Sequence, residues 1–197
     1  FENSSILDFN AQQDIDEEFL SDFINKLDPQ KSIFLESDIS QFQSKELTNT
    51  YDVLNNVVEV FYDRYSLSLE LRKDLLTKYK FNFDLDESIS FNKDKGFMNN
   101  KDEIEDYERK IIKNELIVKM LNGDNFEEAR KELLNNYKDR ISSLKKIRAS
   151  DKFGVLANNF LSLLDPHSSY FSQRDIENWN LRTVSYTHLT LPTNLSV

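Results

Sequence analysis

The sequence predicts an all-α protein, folded as an irregular bundle of about six or seven helices. Only 3 Gly and 3 Pro occur among 197 residues, which disfavours β-sandwiches and glycine-rich nucleotide loops. Apolar residues make up 39% of the chain, and 15 Phe and 8 Tyr supply bulky side chains for a core. Apolar side chains also recur every three or four residues over most of the chain, which is the helical spacing.

The first predicted helix covers residues 14–27, where one apolar stripe follows an acidic first turn. Acidic side chains at that position favour the positive end of the helix dipole. Asp28 and Pro29 end this helix, because a residue before proline is pushed out of the α region. A second helix is predicted to begin near Ser37 and Asp38, both of which are N-cap candidates.

The longest periodic run covers residues 51–79, and no Gly or Pro interrupts it, so we predict one long helix. Residues 81–91 then alternate between apolar and polar side chains. This alternation is compatible with a short extended or hairpin element, or with a loop that covers the bundle.

Three further helices are predicted over residues 102–121, 126–148 and 151–164. Gly123 supplies a left-handed stop after the first of them, and Asp124 or Asn125 caps the second. After the third, Pro166 predicts a turn. Ser172 and Asp175 then have the spacing of a capping box, which predicts another helix start.

Net charge is −10, from 25 Lys and Arg against 35 Asp and Glu. This balance opposes binding to nucleic acid and to anionic lipid, both of which need clustered cations. The chain has no Cys, so a disulfide scaffold, a zinc–thiolate site and a Cys nucleophile are excluded. No apolar run reaches the roughly 20 residues of a transmembrane helix.

The end of the chain differs in composition, because no charged residue occurs in residues 183–197. We therefore interpret residues 1–182 as one helical domain and residues 183–197 as a non-domain tail. Residues 185–193 resemble translated sequencing-adapter sequence, so a non-native origin is one interpretation of the tail. We assign no function to His188 within it.

Two segments of the chain echo one another. Residues 27–42 and 164–179 align at an offset of 137, and seven of sixteen positions are identical. Both read as a helix end, an Asp-Pro turn, an aromatic residue and a helix start. The alternatives are one local solution used twice, or two turns packed in one place. The second alternative predicts a contact between Phe34 and Phe171, and we expect Phe171 to be a buried plug.

His167 lies between Asp165 and Ser168, which suggests a Ser–His–Asp arrangement. Residues this close in sequence rarely aim at one reacting atom, and no glycine-rich nucleophile elbow is present. A turn histidine is therefore favoured. The two histidines are 21 residues apart, without the spacing or the acidic neighbours of a metal site.

Other candidate sites are weaker still. The acidic residues 84–87 lack the calcium-loop pattern with its central Gly. Ser142 and Lys146 are neighbours on a predicted helix, but a lysine base needs a desolvated pocket, and this helix end is polar. Trp179, the sole Trp, is favoured as a core or interface residue. The sequence therefore assigns no catalytic, cofactor-binding or metal-binding residue.

A family resemblance is carried by three segments. Residues 164–172, Leu-Asp-Pro-His-Ser-Ser-Tyr-Phe-Ser, resemble the Asp-Pro-His-[Ser/Thr]-x-Tyr signature of bacterial carboxy-terminal processing proteases. Residues 27–35, continued by Asp38 and Ile39, look like the longer tail-specific branch of that family, as does the stretch 137–140. The likeness covers roughly residues 14–182.

In that family an N-terminal helical region precedes a PDZ domain and a protease core with a Ser/Lys dyad. The resemblance implies a periplasmic serine endopeptidase that cuts proteins near their C-termini. It also implies protein substrates, and an adaptor protein as a further partner. No residue here matches the catalytic Ser or Lys motif, so the implied part is the helical domain, inactive alone. The alternative is a free-standing helical interaction module without proteolytic activity.

Overall fold

A computed structural model describes residues 17–44, 50–89, 96–172 and 175–176. Within them it contains six α-helices and no strand, which confirms the all-α prediction. The helices are α1 (Glu17–Leu27), α2 (Glu36–Phe42), α3 (Thr50–Lys78), α4 (Lys101–Leu121), α5 (Phe126–Leu144) and α6 (Ala149–Leu164). The predicted terminal segments, residues 1–13 and 183–197, lie outside the described residues.

Helix α3 joins two separate hydrophobic cores. Its 29 residues correspond to a length of about 43 Å at the usual helical rise. The N-terminal half packs against α1, α2 and α6, and the C-terminal half packs against α4 and α5. The long helix α3 therefore connects two groups of helices, each with its own hydrophobic core.

The first core lies at the N-terminal half of α3. Its buried side chains are Leu20, Phe23, Ile24, Phe34, Phe42, Leu54, Val57, Val58 and Leu156. Aromatic rings meet edge to face within it, as between Phe34 and Phe42 at 5.6 Å and between Phe19 and Phe160 at 5.5 Å. Residues from both ends of the described chain therefore share one apolar interior.

The second core holds α3, α4 and α5 together. Its buried side chains are Leu69, Leu75, Leu76, Ile112, Leu116, Ala129, Leu133, Tyr137 and Ile141. Burial is the main cause that raises the pKa of the Tyr137 phenol, and a hydrogen bond to Glu115 raises it further. The phenol therefore stays protonated and donates its hydrogen to the Glu115 carboxylate.

A buried ion pair crosses from α3 to α4 beside the second core. Glu108 is fully buried and accepts hydrogen bonds from Ser68 and from the Arg72 guanidinium. Arg72 also lies over the Tyr137 ring, 5.9 Å from its centre. Burial is the largest influence and lowers the pKa of Arg72, but the charge and hydrogen bond of Glu108, with smaller contributions from Tyr137 and Glu115, together outweigh it, so the pKa is raised. The Arg72 guanidinium therefore stays charged inside the domain.

Several helix ends follow the sequence prediction. Gly123 has φ of +111° after α4, as the predicted left-handed stop requires. Of the two cap candidates for α5, Asn125 is the cap, and its side chain accepts a hydrogen bond from the Glu128 N–H at 3.0 Å. Helix α3 differs from its predicted range by one residue at each end.

Other boundaries were predicted wrongly. Helix α5 ends at Leu144 instead of residue 148, and α6 begins at Ala149 instead of Asp151. The Asp151 carboxylate accepts a hydrogen bond from the Arg148 N–H at 2.9 Å, which caps α6 where the sequence has no Gly or Pro. Likewise neither N-cap candidate of α2, Ser37 or Asp38, is its N-cap, because the helix begins at Glu36 and Leu35 is the N-cap.

Residues 79–89, which we call the strap, leave the end of α3 and lie along α4. Their backbone forms no regular element, so the loop interpretation of residues 81–91 holds as far as Ile89. A parallel bridge joins Leu35 and Met98, where the Glu36 N–H donates to the Met98 carbonyl at 3.0 Å. This contact ties the loop before α4 to the start of α2.

Candidate interaction surfaces

Helices α1 and α6 lie side by side and run in the same direction. The Asn159 side chain donates to the Phe23 carbonyl at 3.0 Å, and Lys26 Nζ donates to Ser162 Oγ at 2.6 Å. From the first bond to the second, the contact moves three residues towards the C-terminus in both helices, so the two helices are parallel. Since each helix ends in an Asp-Pro turn, the two echoed turns lie at one end of the domain.

The first turn is built around the buried carboxylate of Asp28. Its oxygens accept hydrogen bonds from the backbone N–H groups of Ser32 at 2.9 Å, Ile33 at 2.8 Å and Phe34 at 3.1 Å. A buried carboxylate needs such donors to offset its lost hydration. The turn therefore carries its own polar support and directs Phe34 into the first core.

The second turn uses Asp165 in the same way. Its carboxylate accepts hydrogen bonds from the His167 N–H at 3.0 Å and from Ser168 Oγ at 2.8 Å. The bond from His167, then that from Ser168, lowers the pKa of Asp165. The three residues are thus together as a hydrogen-bonded turn with an exposed His167, and this agrees with the turn-histidine interpretation.

The helix starts after the two turns are also equivalent. The Asp175 carboxylate accepts from the Ser172 N–H at 3.0 Å, which confirms the predicted capping box. At the corresponding position, Asp38 accepts from the Leu35 N–H at 2.9 Å. Asp38 additionally binds Arg64 of α3 through two hydrogen bonds, which lock the first turn onto the long helix.

The aromatic residues of the two turns have different environments. Phe34 is fully buried, whereas Phe171 is 65% exposed, so the prediction of a buried Phe171 plug is wrong. Helix α3 covers the first turn, with the Phe61 ring 5.9 Å from that of Phe34. At the second turn the preceding residue packs instead, since Tyr170 meets Phe153 edge to face at 5.4 Å.

A groove of about 750 Å³ lies between the C-terminal part of α1, helix α6 and the second turn. Polar and apolar surface contribute about equally to its lining, which consists of Lys26, Leu27, Ser150, Asp151, Gly154, Val155, Asn158, Asn159, Ser162, Ser172 and Asp175. Asn158 clamps one wall, because its amide bonds both the carbonyl and the N–H of Tyr170, at 3.1 and 2.8 Å. These two hydrogen bonds hold the second turn against α6.

The groove contains a hydrogen-bonded Lys26–Ser162 pair, which superficially resembles a Ser/Lys dyad. Lys26 is exposed, and a lysine acts as a base only where burial or a cation lowers its pKa. We therefore assign this pair to helix packing. The Ser142 and Lys146 side chains are also exposed, on the surface of α5 and just after it, as their solvated-face interpretation expected.

The strap is held on α4 by a second ionic cluster. Glu87 accepts hydrogen bonds from Arg109 and from Lys113 Nζ, the latter at 2.6 Å. Lys113 also donates to the Leu85 carbonyl at 2.8 Å. The hydrogen bond from Arg109 and, to a smaller extent, the hydrogen bond from Lys113 lower the pKa of Glu87 from 4.5 to about 2. Two cations thus fix the middle of the strap.

Glu87→Gln is expected to destabilise the protein at neutral pH, and its effect should shrink in acid. A depressed pKa contributes stability above the unfolded value of 4.5, and this contribution is lost as pH falls towards about 2. Urea unfolding of both chains between pH 7 and about 2.5 measures the difference. Glu127→Gln, at an exposed position, serves as the control. A destabilisation by Glu87→Gln that stays constant over this pH range would contradict a stabilising role for the ionised Glu87 carboxylate.

Comparison with known families decides what kind of domain this is. The family model described as "Tail specific protease N-terminal domain" matches residues 6–174. The chain belongs to this family. The matched range includes both Asp-Pro turns, and it ends immediately before the capping Asp175.

A curated relative has the same assignment. The tail-specific protease of Haemophilus influenzae (strain ATCC 51907 / DSM 11121 / KW20 / Rd) is 24% identical over 186 residues. The alignment covers 85% of this chain and 25% of that protein, so the chain spans about a quarter of the relative's length. The resemblance inferred from the turn motifs is thereby confirmed.

Within this tail-specific protease domain, the groove residues were missed by the sequence analysis. Their signal was present as three polar residues, Asn158, Asn159 and Ser162, in the otherwise apolar stretch 153–164 of α6. The Glu87 cluster had no comparable signal, because its cations lie 22 and 26 residues away.

In the described ranges, no helix has both the length and the apolar character needed to cross a bilayer.

Proposed function

We propose that this domain is the non-catalytic helical part of a carboxy-terminal processing serine endopeptidase, where it helps to enclose a protein substrate. The observation that carries the proposal is the family match over residues 6–174. Binding of an adaptor protein is the second role that the family resemblance favours. In this proposal a PDZ domain and a Ser/Lys core belong to the parent protein, and the domain alone has no peptidase activity.

The groove between α1 and α6 supports the enclosing role. Its volume of about 750 Å³ and its polar side chains, such as Asn158 and Ser150, suit an extended polypeptide, whose backbone requires hydrogen-bonding neighbours. It lies beside the second turn, near the end of the matched range, and so close to the point where the chain continues towards the proposed core. A periplasmic location follows from the same proposal.

The coding sequence downstream of residue 182 tests the proposal most directly. A PDZ domain followed by a Ser/Lys protease core is the expected finding. A stop codon directly after the helices would instead favour a free-standing interaction module without proteolytic activity. The exposed apolar side chains of the strap give that alternative some support, because they offer a contact surface that needs no protease core.

The enclosing role makes a kinetic prediction for the full-length protease. Ser150→Trp places a large ring on the groove wall and should lower kcat/KM for a protein substrate about tenfold. Cleavage of a short peptide, which does not span the groove, should change little. Ser142→Trp is the matched control, since Ser142 is also an exposed helical serine but lies on α5. Equal losses on the protein and on the peptide would refute the enclosing role.

A further inference from the structure

A depression with both apolar and polar lining residues lies between the strap and α4. Its volume is about 330 Å³, and four apolar side chains line it: Phe83, Leu85, Ile89 and Ile117. The Leu85 side chain is 55% exposed, although Glu87, two residues later, is held by Arg109 and Lys113. A leucine held in this way offers apolar area to any partner that covers it.

The depression is preformed. Its strap side is fixed by Lys113, which bonds both the Leu85 carbonyl and Glu87, at 2.8 and 2.6 Å. The strap is also held at Phe83, whose ring meets that of Phe126 in α5 edge to face at 5.8 Å. A ligand that enters a preformed site avoids much of the entropy cost of ordering it.

The described charged side chains around the depression that have no ion-pair partner are all acidic. Lys110 is paired with Asp106 at 2.7 Å, and Lys113 is paired with Glu87. Asp86 lines the depression, and Asp84 lies between the lining residues Phe83 and Leu85 in the chain. Both are exposed, and neither forms an ion pair with any residue that the structure describes. The uncompensated charge beside the apolar surface is therefore negative.

We propose that this depression binds a segment of a partner protein in which bulky apolar side chains are flanked by basic ones. The apolar side chain fills the space between Leu85 and Ile117, and the basic side chains face Asp84 and Asp86. The net charge of −10 disfavours a second copy of the chain, and it equally disfavours nucleic acid or anionic lipid. The proposal rests on the proposed function only in taking the partner to be a protein.

The test measures binding of labelled peptides to the 197-residue chain by fluorescence anisotropy at low salt. The probe peptide carries two leucines, each flanked by lysines, in a glycine–serine context. One control peptide has glutamates in place of the lysines, and another has serines in place of the leucines. The probe is expected to bind at least about tenfold more tightly than either control, and added salt should weaken it.

Matched variants localise the binding. Leu85→Ser should weaken the probe about tenfold or more, because it removes the exposed apolar contact. Leu67→Ser changes a leucine on α3 that is 62% exposed, and it should have no effect. Asp86→Asn should weaken binding and reduce its salt dependence.

Three results would overturn the proposal: equal binding of the lysine and glutamate peptides, an unchanged affinity in Leu85→Ser, or no measurable binding of the probe. A dimer of the chain that Leu85→Ser dissociates would also overturn it, in favour of self-association. Because no protease activity is measured, failure of this proposal leaves the proposed function standing. Absence of a downstream protease core would in turn leave the binding result intact.

Discussion

Phe34→Ala is expected to lower the free energy of unfolding by about 3–5 kcal/mol, the usual cost of removing a buried phenylalanine ring. The ring is fully buried in the first core, where it contacts Phe42 and Phe61. Its removal leaves a cavity between α2 and α3 that the rigid long helix cannot close. Urea unfolding of the variant, followed by far-UV circular dichroism, measures the loss.

The chain contains a matched control for this experiment. Phe171 holds the equivalent position in the second turn, but it is 65% exposed. Phe171→Ala should therefore change the stability by no more than about 0.5 kcal/mol. If the two alanine variants lost similar amounts of stability, the assignment of Phe34 to the core and of Phe171 to the surface would be wrong.

The second large effect is expected at the buried ion pair between α3 and α4. Glu108→Leu leaves the guanidinium of Arg72 in the interior without its carboxylate, and such a loss costs about 3–5 kcal/mol. Ser68 loses its hydrogen-bond acceptor in the same variant. Chemical denaturation at neutral pH checks the expected drop.

A double variant separates the cost of the unpaired charge from the cost of altered packing. Arg72→Met combined with Glu108→Leu removes both charges, and it should regain most of the stability that the single variant loses. Asp74→Ala is the surface control, because the Asp74–Lys78 pair is exposed and its removal should change the stability far less than Glu108→Leu does. A double variant as unstable as Glu108→Leu would mean that lost packing, not unpaired charge, causes the effect.

Features that depend on neighbouring residues could be predicted from the sequence. The range of α3 was predicted to within one residue at each end, since a long apolar period without Gly or Pro leaves few alternatives. Gly123, Asn125 and the pair of Ser172 and Asp175 were likewise assigned correctly. Each acts on backbone groups within four positions, so its signal is complete in the local sequence.

Features that depend on distant partners could not be predicted in this way. The break between α5 and α6 depends on Asp151 capping the Arg148 backbone, with no Gly or Pro to mark it. The ion pairs of Glu87 and Glu108 have no local sequence signal, because their partners lie 22 to 40 residues away. The groove between α1 and α6 likewise joins residues 136 positions apart.

The two turns show where the division lies. The sequence by itself determined that they are alike, because Asp28 and Asp165 each satisfy backbone and hydroxyl donors within a few residues. Only the tertiary structure decided that they differ, because α3 covers one and not the other. Burial depends on which helix packs above a residue, so the same motif anchors a core at Phe34 and leaves Phe171 exposed at the surface.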